Sequence, residues 1–190
     1  MYRLYVAKIG DAWFGAVLGD DETIAATSFS REGRVDAVSK ILEGLPSNSH
    51  FIEAKPEGTA LEVLRNMHLV YEGKPPEREF KFAMDRLPQF FRKVLLVTYS
   101  IPRGCVATYG GIAAALGNKG AARAVGNAEA RNPFAPIVPC HRVVASDLGL
   151  GGYGGGLELK RTILEREGVD FARNRVSRRS LWIPKAQGQL

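Results

Sequence analysis

VATYGGIAAALGNKGAARAVGNAEARNPFAPIVPCHRVV, residues 106–144, is the stretch on which the reading of this chain turns. Thr108 is suited to cap a helix from about Tyr109 to Leu116, since its hydroxyl can accept an orphan backbone N–H of the first turn. Gly117, Asn118, Lys119 and Gly120 read as a turn, and a second helix is expected from about Ala121 to Ala130, before Pro133 ends it. Helix, short glycine-bearing turn, helix is the outline of a DNA-binding helix-turn-helix, although any two packed helices share it.

The second helix carries Ala121, Ala122, Ala124, Gly126, Ala128 and Ala130, with Arg123 and Glu129 as its long charged side chains. Such a surface has two readings. Either the alanines face a neighbouring helix, or a slim helix enters a narrow minor groove and Arg123 reaches the base stack. Beyond it, Ile137 and Val138 deliver Cys140 beside His141, with Pro139 fixing the approach and Val143 and Val144 re-entering the core. Taken alone, a Cys beside a His is more often structural than catalytic, because adjacent side chains point apart.

Upstream, PQFFRKVLLVTYSIPRG (88–104) puts Phe90, Phe91, Val94, Leu95 and Val97 on one helical face, stopped by Pro102 and Gly104. The first third reads as an α/β unit. LYVAKIG, AWFGAVLG and TIAATSF are short β-rich runs broken by glycine and acidic turns, the pattern of a meander. Residues 34–45 place Val35, Val38, Ile41, Leu42 and Leu45 on one stripe, and residues 57–71 repeat the pattern with Leu61, Leu64, Met67 or His68, and Tyr71. These signals give an N-terminal α/β domain at 1–80, a connector at 81–87, a mainly helical domain at 88–170 and a basic extension at 171–190.

Composition bounds the rest. With 45% hydrophobic and 24% charged residues in 190, the chain can bury a core and is neither disordered nor fibrous. No apolar run approaches the ~18 residues of a membrane helix, and Asp11 interrupts any secretory signal, so a cytoplasmic protein is expected. Two cysteines, Cys105 and Cys140, cannot form a disulfide scaffold, and His50, His68 and His141 give no zinc spacing. Residues 1–85 hold 10 Lys+Arg against 14 Asp+Glu, whereas residues 86–190 hold 16 against 6. A net −4 half joined to a net +10 half is what is expected when one part meets a polyanion, or is simply a solubilising imbalance.

PCHRV (139–143), with Arg123 to Gly126 and Asn132–Pro133 before it and GGYGGG (151–156), Leu157, Lys160 and EREG (165–168) after it, closely resembles the O6-alkylguanine-DNA alkyltransferases. The likeness spans about residues 88–170. It implies α/β (α+β) architecture: a ribonuclease-H-like sheet-plus-helix domain followed by a helical domain with the helix-turn-helix. It also implies direct, irreversible, single-turnover transfer of an alkyl group from O6 of guanine in duplex DNA to a cysteine of the protein.

The resemblance assigns roles residue by residue. Cys140 is the acceptor, His141 and Glu167 take its proton through a water, Tyr109 serves N3 of the base, and Asn132 braces the turn before the cysteine. Arg123 fills the gap left by the flipped nucleotide, with Ala122, Ala124, Gly126 and Thr108 against the DNA. Pro139, Val143, Tyr153, Gly154, Gly155 and Lys160 line the base pocket. Gly154 stands where several relatives have a serine that contacts O6, which widens the pocket and suggests tolerance of bulky adducts. The implied protein is a cofactor-free, metal-free monomer that binds the minor groove and no membrane. Two rival readings are a DNA binder without transfer and a turnover hydrolase built on Cys140, His141 and Glu167.

Overall fold

The computed structural model describes residues 1–46 and 49–185, which divide into two compact units. The first comprises, among the described residues, 1–46, 49–71, 75–86 and 133–137. Three antiparallel strands, β1 (Tyr2–Ile9), β2 (Ala12–Gly19) and β3 (Ile24–Ser30), form the meander, and β4 (Phe51–Glu53) joins the far edge parallel to β1. Helices α1 (Arg34–Glu43) and α2 (Gly58–Tyr71) pack against the sheet. Phe14, Ile24, Ile41, Leu64, Met67 and Tyr71 are fully enclosed.

The stripe expected on α1 is rotated. Ala37 and Ile41 are buried, whereas Val35 and Leu42 are exposed. The reason is close approach: a Cβ on Gly15 of β2 would sit 2.5 Å from Ile41 Cδ1, so the glycine admits Ile41 and fixes which side of α1 meets the sheet. Residues 133–137 belong to this unit through backbone pairing, with Thr27 N donating to Pro133 O at 2.7 Å and Thr27 Oγ1 to Ala135 O at 2.8 Å.

The second unit comprises, among the described residues, 72–74, 87–132 and 138–185. It holds α3 (Gln89–Tyr99), α4 (Tyr109–Ala115), α5 (Ala122–Ala130) and α6 (Leu157–Arg166). Between the helices, β5 (Ala107–Thr108) pairs in parallel with β6 (Val143–Val144). That two-residue ladder escaped the sequence reading, yet it brings the end of the Cys140 segment against the start of α4. Val94, Val97, Ile101, Ile112, Val125, Ala128 and Val143 form one apolar cluster, and Val106, Val144, Leu164, Val169 and Val176 another. Thr108 caps α4 as expected, its Oγ1 accepting from Gly111 N at 2.9 Å. Gly117, at φ +77°, makes the left-handed turn that lets the chain reverse towards α5.

Residues 171–185 fold onto this unit. A hairpin of β7 (Phe171–Ala172) and β8 (Arg175–Val176) is followed by a segment that brackets Val106, whose N–H donates to Ser180 O and whose carbonyl accepts from Trp182 N, both at 2.8 Å. Trp182 packs on the first cluster, while Ile183 is exposed. No helix among the described residues is long and apolar enough to cross a membrane.

Candidate active site

Cys140, His141 and Arg142 form a single 3-10 turn running straight into β6. Glu167 is the C-terminal cap of α6, one residue past the helix proper. Together these elements set His141 Nε2 2.9 Å from Glu167 Oε1, with both side chains enclosed, though 26 residues separate them. Arg142 completes the couple. Its Nε and Nη2 donate to the two oxygens of Glu167 at 2.9 and 2.8 Å, and its Nη1 donates to Ile101 O at 2.7 Å.

Burial opposes a charge on Glu167, but His141 and Arg142 overcome it and hold the carboxyl down at about 2. Burial also moves the His141 imidazole down, further than Glu167 pulls it up. At neutral pH the couple is therefore neutral imidazole against carboxylate, the form in which a histidine can accept a proton. His141 Nδ1 is buried and has no protein hydrogen-bond partner. Cys140 keeps some exposure, yet the atoms crowding its sulfur push the thiol up to about 11, with Glu129 acting in the same direction and a hydrogen bond from Asn132 opposing. The sulfur rests as a thiol and needs a base to become a nucleophile.

Two further side chains shape the turn. Asn132 Nδ2 donates to Val138 O at 2.8 Å, joining the two ends of the 133–137 excursion immediately before the cysteine. Lys160 on α6 is wholly enclosed and its ammonium donates to three carbonyls, Val143 and Leu150 at 2.6 Å and Gly152 at 3.2 Å. Burial moves Lys160 down to about 8, against the pull of Cys140 and Glu129. Tyr109 lies between Gly126 of α5 and the 151–152 loop. A Cβ on Gly151, itself at φ +67°, would come within 3.0 Å of the phenol ring. Burial raises the Tyr109 phenol, so it carries its proton.

Residues 89–169 match the family model described as the DNA binding domain of 6-O-methylguanine DNA methyltransferase. A methylated-DNA–protein-cysteine methyltransferase of Methanothermobacter thermautotrophicus is 35% identical over 160 residues, covering 83% of this chain and 80% of that protein. The chain belongs to the methylated-DNA–protein-cysteine methyltransferases. Another member of the family, from Mycobacterium leprae, is 41% identical over 124 residues, 65% of this chain and 68% of that one. Among solved structures, the O6-methylguanine-DNA methyltransferase of Pyrococcus kodakaraensis superposes with a TM-score of 0.71 at 29% identity, over 89% of this chain and all of that one. Mycobacterium tuberculosis OGT in complex with DNA gives 0.69 at 27%, over 87% and 92%.

Within this methyltransferase frame, the structure brings Cys140, His141 and Glu167 to one turn, with Asn132 and Lys160 beside it. Arg123 is exposed on α5, Ala122, Ala124 and Gly126 are half-buried, and Val125, Ala128 and Glu129 point into the core. Thr108 is engaged in capping. Pro139 and Val143 are buried. The Val143 side chain belongs to the apolar cluster, and its carbonyl is what Lys160 holds. Tyr153 is half-buried with the Lys160 ammonium 5.9 Å from its ring, and Gly154 and Gly155 are exposed. Among the described residues no cluster of His, Cys, Asp or Glu could hold a metal ion.

Two participants had no assigned task in the sequence. Arg142 stood inside the PCHRV motif, but nothing in the spacing said its fork would close on a residue 25 positions away. Glu129 stood out only as a long acidic side chain on an alanine-rich helix.

Proposed function

We propose that the chain repairs DNA by moving an alkyl group from O6 of guanine in a duplex onto Cys140, once per molecule. Family membership supports this, and the observation that carries it is the enclosed His141–Glu167 pair beside a protonated thiol. Neutral His141 takes the Cys140 proton through a bridging water at Nδ1. Glu167, itself neutralised by Arg142, stabilises the imidazolium that forms. With burial raising the thiol and lowering the imidazole, that transfer runs uphill in the free protein. A protein that reacts once can draw on substrate binding for this.

The sulfur then attacks the alkyl carbon, forming S–C as C–O6 breaks. The electron pair leaves with the base, the Tyr109 phenol delivers a proton to N3, and the proton that His141 took from Cys140 passes through solvent to the resulting phenolate, so that the proton lost by Cys140 is balanced by one gained on guanine. Asn132 holds the approach to Cys140, and Lys160 ties down the loop of Tyr153, Gly154 and Gly155 that forms the pocket wall with Pro139 and Val143.

Reaching the carbon requires the nucleotide to leave the stack. In this reading, α4 and α5 act as a helix-turn-helix docked in the minor groove. Ala122, Ala124, Gly126 and Thr108 lie near the backbone, and Arg123 fills the vacated space. The first unit serves as a ribonuclease-H-like support, and the protein works as a cytoplasmic monomer at the chromosome with no cofactor.

The test is stoichiometry. Incubation with duplex DNA containing O6-methylguanine should add one methyl, about 14 Da, to the Cys140 peptide and stop at one equivalent. Continued turnover would mean a hydrolase, and binding without an adduct would mean a recognition protein. Cys140→Ala is expected to abolish transfer and spare DNA binding.

A further inference from the structure

Glu129 is a buried acid that the transfer chemistry leaves without a task. It lies one residue from the end of α5, on the face that carries Val125 and Ala128 into the apolar cluster, and is 7% exposed. Its Oε1 pairs with Thr98 Oγ1 of α3, and its Oε2 is buried with no protein hydrogen-bond partner. Thr98 Oγ1 also lies 3.0 Å from Val94 O. A hydroxyl has one proton and a carbonyl none. With Glu129 protonated, the carboxyl donates to Thr98 and Thr98 donates to Val94, so both contacts carry a proton. With Glu129 ionised, only one does. The carbonyl end of α5 adds a further cost to a negative charge there.

The apolar cluster under this face of α5 joins it to the site: it takes in Val143, three residues past Cys140, and has Tyr109 of α4 packed on it, while Lys160 of α6 holds the Val143 carbonyl and α3 presents the Thr98 hydroxyl. A charge on Glu129 pushes the Cys140 thiol and the Tyr109 phenol up, and it supports the Lys160 ammonium. Burial in turn raises Glu129 to about 8, against the Thr98 hydroxyl and Lys160.

We propose that Glu129 is a positioning residue for alkyl transfer: an uncharged acid, kept so by its burial against the apolar cluster although the Thr98 hydroxyl opposes this, whose ionisation sets a second negative charge near the reacting sulfur and silences Cys140. The inference rests on the transfer reading and deepens it. Thiolate and ionised Glu129 exclude each other, so the reactive population falls as Glu129 titrates. Lys160 titrates over the same range and also supports the thiolate, and variants at Glu129 separate the two contributions.

The experiment compares Glu129→Gln with wild type from about pH 6.5 to about 9.5, following the mass of the Cys140 peptide in two reactions. One is methyl transfer from O6-methylguanine in duplex DNA. The other is alkylation by iodoacetamide, which needs the thiolate and no nucleic acid. Both ratios of variant to wild type are expected near one at neutral pH and to rise to roughly tenfold a pH unit above the Glu129 ionisation. An iodoacetamide ratio that stays flat overturns the inference whatever the DNA reaction does, and assigns any alkaline loss to Lys160. A rising iodoacetamide ratio in a protein that takes no methyl group from DNA supports the coupling and overturns the transfer reading instead. Thr98→Val guards against a folding defect at position 129: it is expected to move the wild-type inflection to higher pH, and an unmoved inflection counts against the proposal.

Discussion

Arg142 grips Glu167 with two parallel N–H donors at 2.9 and 2.8 Å while Glu167 receives His141 Nε2 on the same oxygen that Arg142 Nη2 reaches. One carboxylate therefore orients two neighbours of Cys140 at once. The guanidinium keeps that carboxylate ionised in an enclosed place, and the carboxylate keeps the imidazole aligned to accept a proton.

Removing one partner of such a pair leaves a buried charge without compensation. Arg142→Met is expected to lower the unfolding free energy by about 3 to 5 kcal/mol in urea titration. Arg142→Lys, which keeps the charge and loses the fork, should fall between this variant and wild type. A wild-type midpoint in Arg142→Met would refute the arrangement.

Acid stability follows with a definite sign. The Glu167 carboxyl ionises at about 2 in the folded chain against an ordinary value near 4.5. Its contribution, about 3 kcal/mol, is present above pH 4.5 and is lost as pH falls towards 2. Glu167→Gln should be less stable than wild type at neutral pH, and the gap between the two should close across that window in denaturant titrations at stepped pH.

Lys160→Met keeps the apolar stem but strips the donors from Val143 O, Leu150 O and Gly152 O. Some of these carbonyls regain water, so a loss of about 2 to 4 kcal/mol is expected rather than three full penalties. Hydrogen exchange should show the 150–156 loop opening faster in the variant, and unaltered exchange there would remove Lys160 from the pocket wall.

Arg123 is exposed on α5. Arg123→Ala should leave stability within about 0.5 kcal/mol of wild type. Methyl transfer from duplex DNA should slow about tenfold or more, while reaction with free O6-benzylguanine, which needs no flipping, proceeds at the wild-type rate. Equal slowing of both reactions would place Arg123 in the pocket rather than at the duplex.

Gly154 is exposed, and a Cβ placed on it meets no atom within 4 Å. Benzyl adducts are accordingly expected to react at rates comparable to methyl adducts. Gly154→Ser should fold normally and shift the balance towards methyl. Failure of benzylguanine to inactivate a protein that accepts methyl from DNA would contradict this.

Local signals carried much of the architecture. Short β-rich runs separated by glycine and acidic turns announce the meander, and the helices that begin at Arg34, Gly58 and Tyr109 stand within one residue of the expected 34, 57 and 109. Contacts that depend on three-dimensional closure were invisible. Nothing in Val143–Val144 announces a parallel partner at Ala107–Thr108, because a two-residue ladder has no period to detect. The turn of α1 was misjudged because it depends on space over Gly15, a property of a different strand. At the site, PCHRV named the chemistry, while the Arg142 fork arises only where the 3-10 turn meets the end of α6 and the Thr98–Glu129 pair only where α3 meets α5.

The brief departure of residues 133–137, whose backbone hydrogen-bonds to Thr27 of the first unit, means that the polypeptide weaves back before it presents its cysteine. No single cut can therefore harvest the reactive half intact. A fragment begun at residue 88 would still carry Phe134, fully enclosed here beside Phe82, and would expose that ring to water six residues before the reactive cysteine. Trimming this chain for a minimal tool would call for redesigning those five positions first.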